Sequence, residues 1–206
     1  MAEHPGLMNA GEFELVGFSV GVVDKHEMIT RESVTPDDVI IGLHSPGLRS
    51  NGYSLARKVF FDTAKKSIHD PVWDGTDVTV GEELLRPSVI YTPTVLKVLE
   101  QNQVKAIAHI TGGGLPGNVN RVLPDDMDAE IRKETWSPPR IFTEIQSLGN
   151  IDEGEMFKVF NMGIGMVLIV DQQSVDSTQE IIDATGLSST QIGTVKANGT
   201  GSVEIV

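Results

Sequence analysis

The chain has 206 residues, of which 39% are hydrophobic and 22% charged, and its formal net charge at pH 7 is −13. A chain of this size and composition can bury a sizeable core, as globular domains do. It contains no cysteine, so disulfides, thiolate catalysis and thiolate metal sites are excluded.

Charge pattern and hydropathy exclude further classes. The 16 lysines and arginines are scattered and form no basic stripe interleaved with aromatic residues, the pattern typical of a nucleic-acid surface. No apolar run approaches the roughly 18 residues of a membrane span, and residues 1–6 lack the pattern of a secretion signal. We therefore expect a cytoplasmic protein with no nucleic-acid and no membrane partner.

Hydrophobic periodicity predicts the elements of the first half of the chain. Residues 13–24 alternate and then run apolar, which indicates one long strand. A short buried strand follows at 39–43, and residues 51–66 have helical spacing. The remaining predictions for this half are a loop at 69–80, a helix at 93–101 with Val95, Leu96, Val98 and Leu99 as its apolar positions, and a short buried strand at 104–110.

The second half mixes short helices with short strands. Ser174 is the predicted N-cap of its helix, and Gly149 and Gly186 are glycine stop signals. The predicted helices are 116–123, 139–148, 152–157 and 174–185, the predicted strands are 129–132 and 162–170, and residues 191–196 and 202–206 are predicted as a closing hairpin. With no internal repeat and no strict βαβ rhythm, the sequence predicts an α+β fold with a mixed β-sheet covered by helices.

Two strand ends carry the candidate chemistry. The strand at 104–110 runs into His109, Thr111 and the triple glycine Gly112–Gly114. Three glycines lose much backbone entropy on folding, but they let backbone N–H groups approach a bulky anion such as a phosphate. The alternative is a tight turn into the next helix.

The strand at 39–43 ends in a similar loop of small residues. Two such loops in one chain suggest two walls of one pocket. Asn51 can both donate and accept hydrogen bonds, which suits an amide-bearing ligand, and its alternative role is the N-cap of the helix at 51–66. The further candidates in this loop are Ser45, Arg49, Ser50 and Gly52.

Three motifs resemble those of a known family. Ser-Asn-Gly-Tyr-Ser-Leu at 50–55, His-Ile-Thr-Gly-Gly-Gly at 109–114 and Phe-Asn-Met-Gly-Ile-Gly-Met at 160–166 have the order and spacing of aminoimidazole ribonucleotide synthetase, also called phosphoribosylformylglycinamidine cyclo-ligase. Three linked motifs are far more specific than a single glycine pattern. The resemblance runs from Ala2 to about Val170 and is expected to continue to the end of the chain.

The resemblance implies how the chain is organised. Residues 34–206 would form the family's C-terminal synthetase domain. Residues 1–33 would be a remnant of the N-terminal domain, which in the family carries most of the ATP site and the dimer interface. The strand at 13–24 would then be left over from that preceding domain. The full-length form is expected to be a homodimer, and the missing half is either absent or supplied by another chain.

The resemblance also implies a reaction. The family closes formylglycinamidine ribonucleotide to aminoimidazole ribonucleotide with ATP and Mg²⁺, releasing ADP and phosphate, in de novo purine biosynthesis. Without most of the ATP-binding domain, this chain alone is expected to be inactive. The alternatives are a non-catalytic ligand-binding or interaction domain of a split or truncated synthetase, and a related ATP-dependent enzyme of the same fold, such as those for selenophosphate, thiamine phosphate or hydrogenase maturation.

By resemblance, the candidate residues take specific roles. His109 would accept or relay a proton or bind the substrate phosphate; its alternative is a structural histidine. Glu3 would help to hold Mg²⁺, unless it is a frayed terminal residue. Arg49 departs from the family, in which many members carry histidine, and arginine cannot act as a base at neutral pH. The predicted substrate-binding residues are Ser45, Arg49, Ser50, Asn51, Gly52, Thr111, Gly112, Gly113, Gly114 and Asn161, the last with a turn residue as its alternative. The histidines show no ligand spacing, so no structural metal is expected.

Overall fold

A six-stranded sheet forms the centre of the molecule. The computed structural model describes residues 17–101, 104–197 and 199–206. Its strands are β1 (Val39–His44), β2 (Val104–His109), β3 (Met127–Ile131), β4 (Ile164–Val170), β5 (Ser189–Ala197) and β6 (Val203–Ile205). Its α-helices are α1 (Tyr53–Arg57), α2 (Val80–Leu84), α3 (Thr92–Gln101), α4 (Gly114–Val119), α5 (Arg140–Gly149), α6 (Glu153–Val159) and α7 (Val175–Ala184).

The sheet is mixed, as the sequence predicts. Its strand order is β2-β4-β1-β5-β3-β6. The pairs β2–β4, β4–β1, β1–β5 and β5–β3 are antiparallel, whereas β3 and β6 run parallel. The predicted α+β class is therefore confirmed.

Both faces of the sheet are covered, because alternate residues of each central strand enter different cores. In β1, Val39 and Ile41 pack with the core beneath α3 and α7, whereas Ile40 packs with the core beneath α1, α4, α5 and α6. In β4, Leu168 and Ile169 divide between these two cores in the same way. Burial on both faces explains why β4 is almost continuously apolar.

The predicted closing hairpin is wrong. Strands β5 and β6 exist, but β3 lies between them and β6 pairs with β3 instead. The Asp128 carboxylate of β3 accepts hydrogen bonds from the backbone N–H groups of Thr200 and Ser202, each at 2.7 Å. These contacts hold the segment between β5 and β6 across the end of β3. Strand β6 therefore pairs with the edge of β3 that lies away from β5.

Local details of several helices also differ from the predictions. The helix expected at 51–66 consists of two consecutive parts, because α1 is followed directly by a π-helix at Lys58–Thr63. Ser174 makes no capping side-chain bond, whereas the Asp171 carboxylate accepts from the N–H groups of Gln173 and Ser174. In α3, Val95 and Val98 are buried, but Leu96 is 54% exposed.

Helix α2 begins at the end of the segment predicted as a loop. Thr79 and Glu82 form a reciprocal capping box at its N-terminus. This T-x-x-E pattern is a sequence signal for a helix start that hydrophobic periodicity does not detect.

The predicted strand at 13–24 is not formed in its described part. Residues 17–24 have no strand hydrogen bonding, and Phe18, Val20 and Val22 are almost fully exposed. Residues 13–16 lie outside the described residues. A strand requires a neighbouring strand to pair with, and within the described ranges none lies beside this segment.

Because a core lies on each face of the sheet, substituting a central isoleucine should lower the free energy of unfolding far more than substituting an exposed one. Ile40 is 0% exposed at the centre of the sheet, whereas Ile90 is 77% exposed. Ile40→Ala should lower the free energy of unfolding by about 2–5 kcal/mol through lost burial and a cavity. Ile90→Ala, the matched control, should change it by no more than about 0.5 kcal/mol. Urea denaturation measures both values, and equal effects would contradict the assignment of the core.

Candidate functional site

The sheet topology brings the two candidate loops to one edge. Strands β1 and β2 are both antiparallel to β4, which lies between them, so they run in the same direction. Their last residues, His44 and His109, pair with Ile164 and Met166 near the start of β4. The loops that follow β1 and β2 therefore leave the sheet side by side.

A buried asparagine organises the glycine loop. The Asn118 side-chain amide donates to the carbonyls of Thr111 (3.3 Å), Gly112 (3.2 Å) and Gly114 (2.7 Å). The Thr111 hydroxyl donates to Asn118 Oδ1 at 3.0 Å. With the carbonyls held by Asn118, the N–H groups of Gly112 and Gly113 have no hydrogen-bond partner among the described residues. They are therefore available to an anionic ligand.

The last two glycines of this loop are required by its backbone. Gly113 and Gly114 have positive φ angles of 97° and 59°, which side chains with a Cβ adopt only with strain. A Cβ at Gly114 would also overlap the Phe157 carbonyl oxygen of α6. The tight turn and the anion-binding loop are thus compatible readings of the same glycines.

A second buried asparagine holds the other loop. Asn161 Nδ2 donates to the carbonyls of Gly47 (2.9 Å) and Leu48 (3.2 Å), and its Oδ1 accepts from the Gly163 N–H at 2.7 Å. Ser45 is also buried, and its hydroxyl donates to the Gly47 carbonyl at 3.2 Å. The structure places both predicted residues behind the loop, where their polar groups contact backbone. Their contact with a substrate stays a prediction.

Arg49 connects the two loops. Its guanidinium donates through Nη1 to the carbonyls of Gly165 (2.5 Å) and Ile110 (3.2 Å), and through Nη2 to His109 Nε2. It also lies over the Tyr91 ring, 5.4 Å from the centroid. Arg49 therefore joins the loop after β1 to β4 and to the end of β2.

The remaining loop residues divide between exposed and structural positions. Asn51 faces the glycine loop, since its Nδ2 lies 3.5 Å from the position of a Cβ at Gly112. Ser50 is exposed. Gly52, rather than Asn51, is the N-cap of α1, with a φ of 83°, and a Cβ there would overlap the Phe160 ring. Glu3 lies outside the described residues.

Burial and charge set the protonation of this edge. Partial burial, and secondly the positive charge of Arg49, hold the pKa of His109 below its usual 6.5. Burial likewise lowers the pKa of the Arg49 guanidinium, which still remains a cation at neutral pH. Burial raises the pKa of Tyr91, so its hydroxyl stays protonated. The edge therefore presents a neutral imidazole beside a cation and free N–H donors.

Sequence reasoning missed two residues that build the site. The sequence predicts Asn118 only as part of the short helix at 116–123, although an asparagine one turn after a triple glycine is a signal that could have identified it. Tyr91 lies outside the motifs; its hydroxyl donates to the His44 carbonyl at 2.7 Å and its ring supports Arg49. Nothing in the local sequence indicates that contact, because it joins residues distant in the chain.

Two further features lie apart from these contacts. A cleft borders the outer side of the glycine loop, and its wall includes Gly113, Gly117, Lys158 and the segment 200–203. On the surface, ligand atoms of Asp24, His26 and Glu27 lie within 4.8 Å of one another. The spacing of the histidines does not predict this group, and all three side chains are exposed.

The comparisons with known proteins show the family of this chain. Residues 35–206 match the family described as "AIR synthase related protein, C-terminal domain", and the chain belongs to this family. It is 41% identical to a protein of Alkaliphilus metalliredigens over 93% of this chain and 55% of that protein. It is 45% identical to a protein of Caldicellulosiruptor bescii over 98% of this chain and 59% of that protein. Both relatives are named phosphoribosylformylglycinamidine cyclo-ligase. The chain thus spans somewhat more than half of their length.

Solved structures share the fold. Thiamine-monophosphate kinase from Stenotrophomonas maltophilia matches with a TM-score of 0.60 and 12% identity, over 89% of this chain and 54% of that chain. The hydrogenase maturation protein HypE in complex with ATP matches with a TM-score of 0.56 and 14% identity, over 85% and 49%. At such identities the likeness concerns the fold alone. Across the ranges that the structure describes, no helix is long and apolar enough to cross a membrane.

The glycine loop should depend on the Asn118 amide. Asn118→Ala would remove its side-chain hydrogen bonds to the loop carbonyls and leave the Gly112 carbonyl without a partner among the described residues, so we expect a loss of about 1–3 kcal/mol in unfolding free energy. Hydrogen exchange at the Gly114 N–H, which donates to the Thr111 carbonyl within the loop, should also accelerate. Asn120→Ala is the matched control, since Asn120 is exposed two residues away. A loop unaffected by Asn118→Ala would contradict this account.

Proposed function

We propose that this chain is the ribonucleotide-binding part of a phosphoribosylformylglycinamidine cyclo-ligase. The full enzyme would close formylglycinamidine ribonucleotide to aminoimidazole ribonucleotide with ATP and Mg²⁺, releasing ADP and phosphate, in de novo purine biosynthesis. The observation that carries the proposal is the joined pair of loops, with His109 and two free glycine N–H groups at one sheet edge. It supports the proposal because relatives that are 41% and 45% identical over 93% and 98% of this chain carry this name. A cytoplasmic location is part of the same proposal.

The geometry suits a reaction that needs positioning more than a strong nucleophile. When bound, ATP supplies the phosphoryl group that turns the formyl oxygen into a leaving group, and a substrate nitrogen then closes the ring. The N–H groups of Gly112 and Gly113 would bind a phosphate or the formyl oxygen. Asn51 and Ser50 would contact the amidine and the ribose phosphate of the substrate, respectively. His109 would be the catalytic imidazole at the same edge of the sheet.

The donor set fits an anionic ligand but gives no Mg²⁺ site. Free backbone N–H groups and the nearby Lys158 cation suit phosphate oxygens. Magnesium requires oxygen ligands, usually carboxylates, and Glu3, the residue proposed for it, is outside the described residues. We therefore propose ATP and Mg²⁺ as ligands of the whole enzyme, with this chain contacting the ribonucleotide.

The second candidate is a domain that binds ligand without turnover. It is favoured by the free N–H groups of Gly112 and Gly113, which suit an anionic ligand whether or not turnover follows. Under this proposal, the candidate residues bind the ribonucleotide here and catalysis needs the rest of the enzyme, including residues upstream of the proposed boundary at Val34. Turnover by the isolated chain at the rate of a full-length relative would exclude it.

Calorimetric titration of formylglycinamidine ribonucleotide into this chain tests the proposed site. We expect saturable binding, weakened roughly ten- to a hundredfold by His109→Ala, because a hydrogen bond to a charged group is lost. His69→Ala is the matched control, since His69 is exposed in a surface loop. Mg-ATP should leave the affinity unchanged if the nucleotide site lies elsewhere. No binding at millimolar ligand, or equal effects of both variants, would contradict the proposal.

We also propose that the exposed segment at residues 18–22 is an association surface, as expected from the family's homodimer. Phe18, Val20 and Val22 present unpaired apolar side chains, and such a segment favours pairing with another chain. Light scattering should show a mass that rises toward a dimer or larger species with concentration. Val20→Lys should suppress this, whereas Leu85→Lys, at an exposed apolar residue outside the segment, should not. A monomer at high concentration would count against this surface.

A further inference from the structure

The hydrogen bonds of Arg49 show where its donors are directed. Two strand-end carbonyls, those of Ile110 and Gly165, and the imidazole of His109 accept from its guanidinium. Its remaining Nε is buried without a partner among the described residues. Since these donors face protein acceptors, Arg49 is poorly placed to clamp a phosphate in the bidentate manner that arginine usually offers.

The contact with His109 fixes the chemistry of the imidazole. A guanidinium carries only N–H groups and cannot accept a hydrogen bond. His109 Nε2 must therefore accept from Arg49, so the neutral ring carries its proton on Nδ1. A doubly protonated ring would place an N–H against an N–H and a second positive charge beside the first.

We propose that Arg49 is a positioning residue that holds His109 as the neutral tautomer with its proton on Nδ1. His109 then acts toward a bound ribonucleotide as a hydrogen-bond donor through Nδ1, and not as a general base through Nε2. The identity of the ligand rests on the proposed function, but the tautomer does not. Position 49 thereby determines which role the imidazole can take.

The surroundings fix Arg49 itself. Its backbone has a positive φ of 65°, and its guanidinium lies against the Tyr91 ring, which is anchored to the His44 carbonyl. Glycine at position 165 makes room, because a Cβ there would lie 2.8 Å from Arg49 Nη1 and would overlap the Tyr91 hydroxyl. Of the titratable groups described, Arg49 is the one whose charge acts on His109, and Tyr91 is the one that packs against Arg49.

Proton–nitrogen correlation spectra of the chain with isotope-labelled histidine test this assignment without any ligand. The chain has five histidines, and His109→Gln identifies the signal of interest. We expect the Nδ1-protonated pattern for His109, with a titration midpoint below 6.5. A wild-type ring protonated on Nε2, or on both nitrogens at neutral pH, would overturn the proposal.

Two variants then separate positioning from simple support of the fold. Arg49→Met removes the donor and the charge, so His109 should become a mixture of tautomers with its midpoint moved up toward 6.5. Arg49→Lys keeps the charge and a donor but loses the planar fork, and it should give a smaller change. Arg57→Met, at an exposed arginine of α1, is the control and should leave His109 unchanged.

The readouts distinguish this proposal from the proposed function. The spectrum of wild-type His109 decides the tautomer even if Arg49→Met fails to fold. An unchanged tautomer and midpoint in folded Arg49→Met would overturn the role of Arg49 while leaving ribonucleotide binding intact. Conversely, loss of the proposed ribonucleotide site in calorimetry would leave the tautomer result standing.

Discussion

The Arg49 guanidinium ties together the three strands on which the candidate site depends. It extends from the loop after β1 and bonds to His109 and the Ile110 carbonyl at the end of β2, and to the Gly165 carbonyl of β4. The antiparallel placement of β4 between β1 and β2 makes this possible, because it brings both loops to the same edge. Without that order, the two glycine-containing loops would not share one surface.

Two buried asparagines support this arrangement from behind. Asn118 gathers the carbonyls of the glycine loop, and Asn161 gathers those of the loop after β1. Asn161 engages its amide with backbone groups, and Asn118 engages its amide with backbone carbonyls and the Thr111 hydroxyl. These buried amides form hydrogen bonds with polar groups that would otherwise be buried without a partner, at a cost in free energy. The exposed groups, among them His109 and the N–H groups of Gly112 and Gly113, are left free for chemistry.

The parts predictable from sequence were those with local causes. The strand at Val39–His44 has a local run of apolar residues, and the glycine loop is a local run of glycines. The Asp152 cap is local too, because it directly precedes α6 in the sequence. Periodicity located α3 but not the exposure of Leu96, because a helix with four apolar positions does not show which of them meets the sheet. The position of β6 beside β3 depends on Asp128 contacts across the end of the sheet, and the Tyr91–Arg49 contact spans distant parts of the chain. Neither contact leaves a local pattern in the sequence, whereas the Thr79–Glu82 capping box does.

The substitution of arginine at position 49 changes what the site can do. A histidine there could exchange protons with its neighbour, whereas a guanidinium only donates and stays charged. The protein therefore gains a fixed link between strand ends and gives up a second titrating group. A neutral His109 whose Nε2 already accepts from a permanent cation favours donation to an oxyanion over proton removal, because the group left on its ring is an N–H donor. If the proposed cyclisation takes place at this site, the proton released during ring closure would go to another group, such as the leaving phosphate, and the imidazole would orient the substrate.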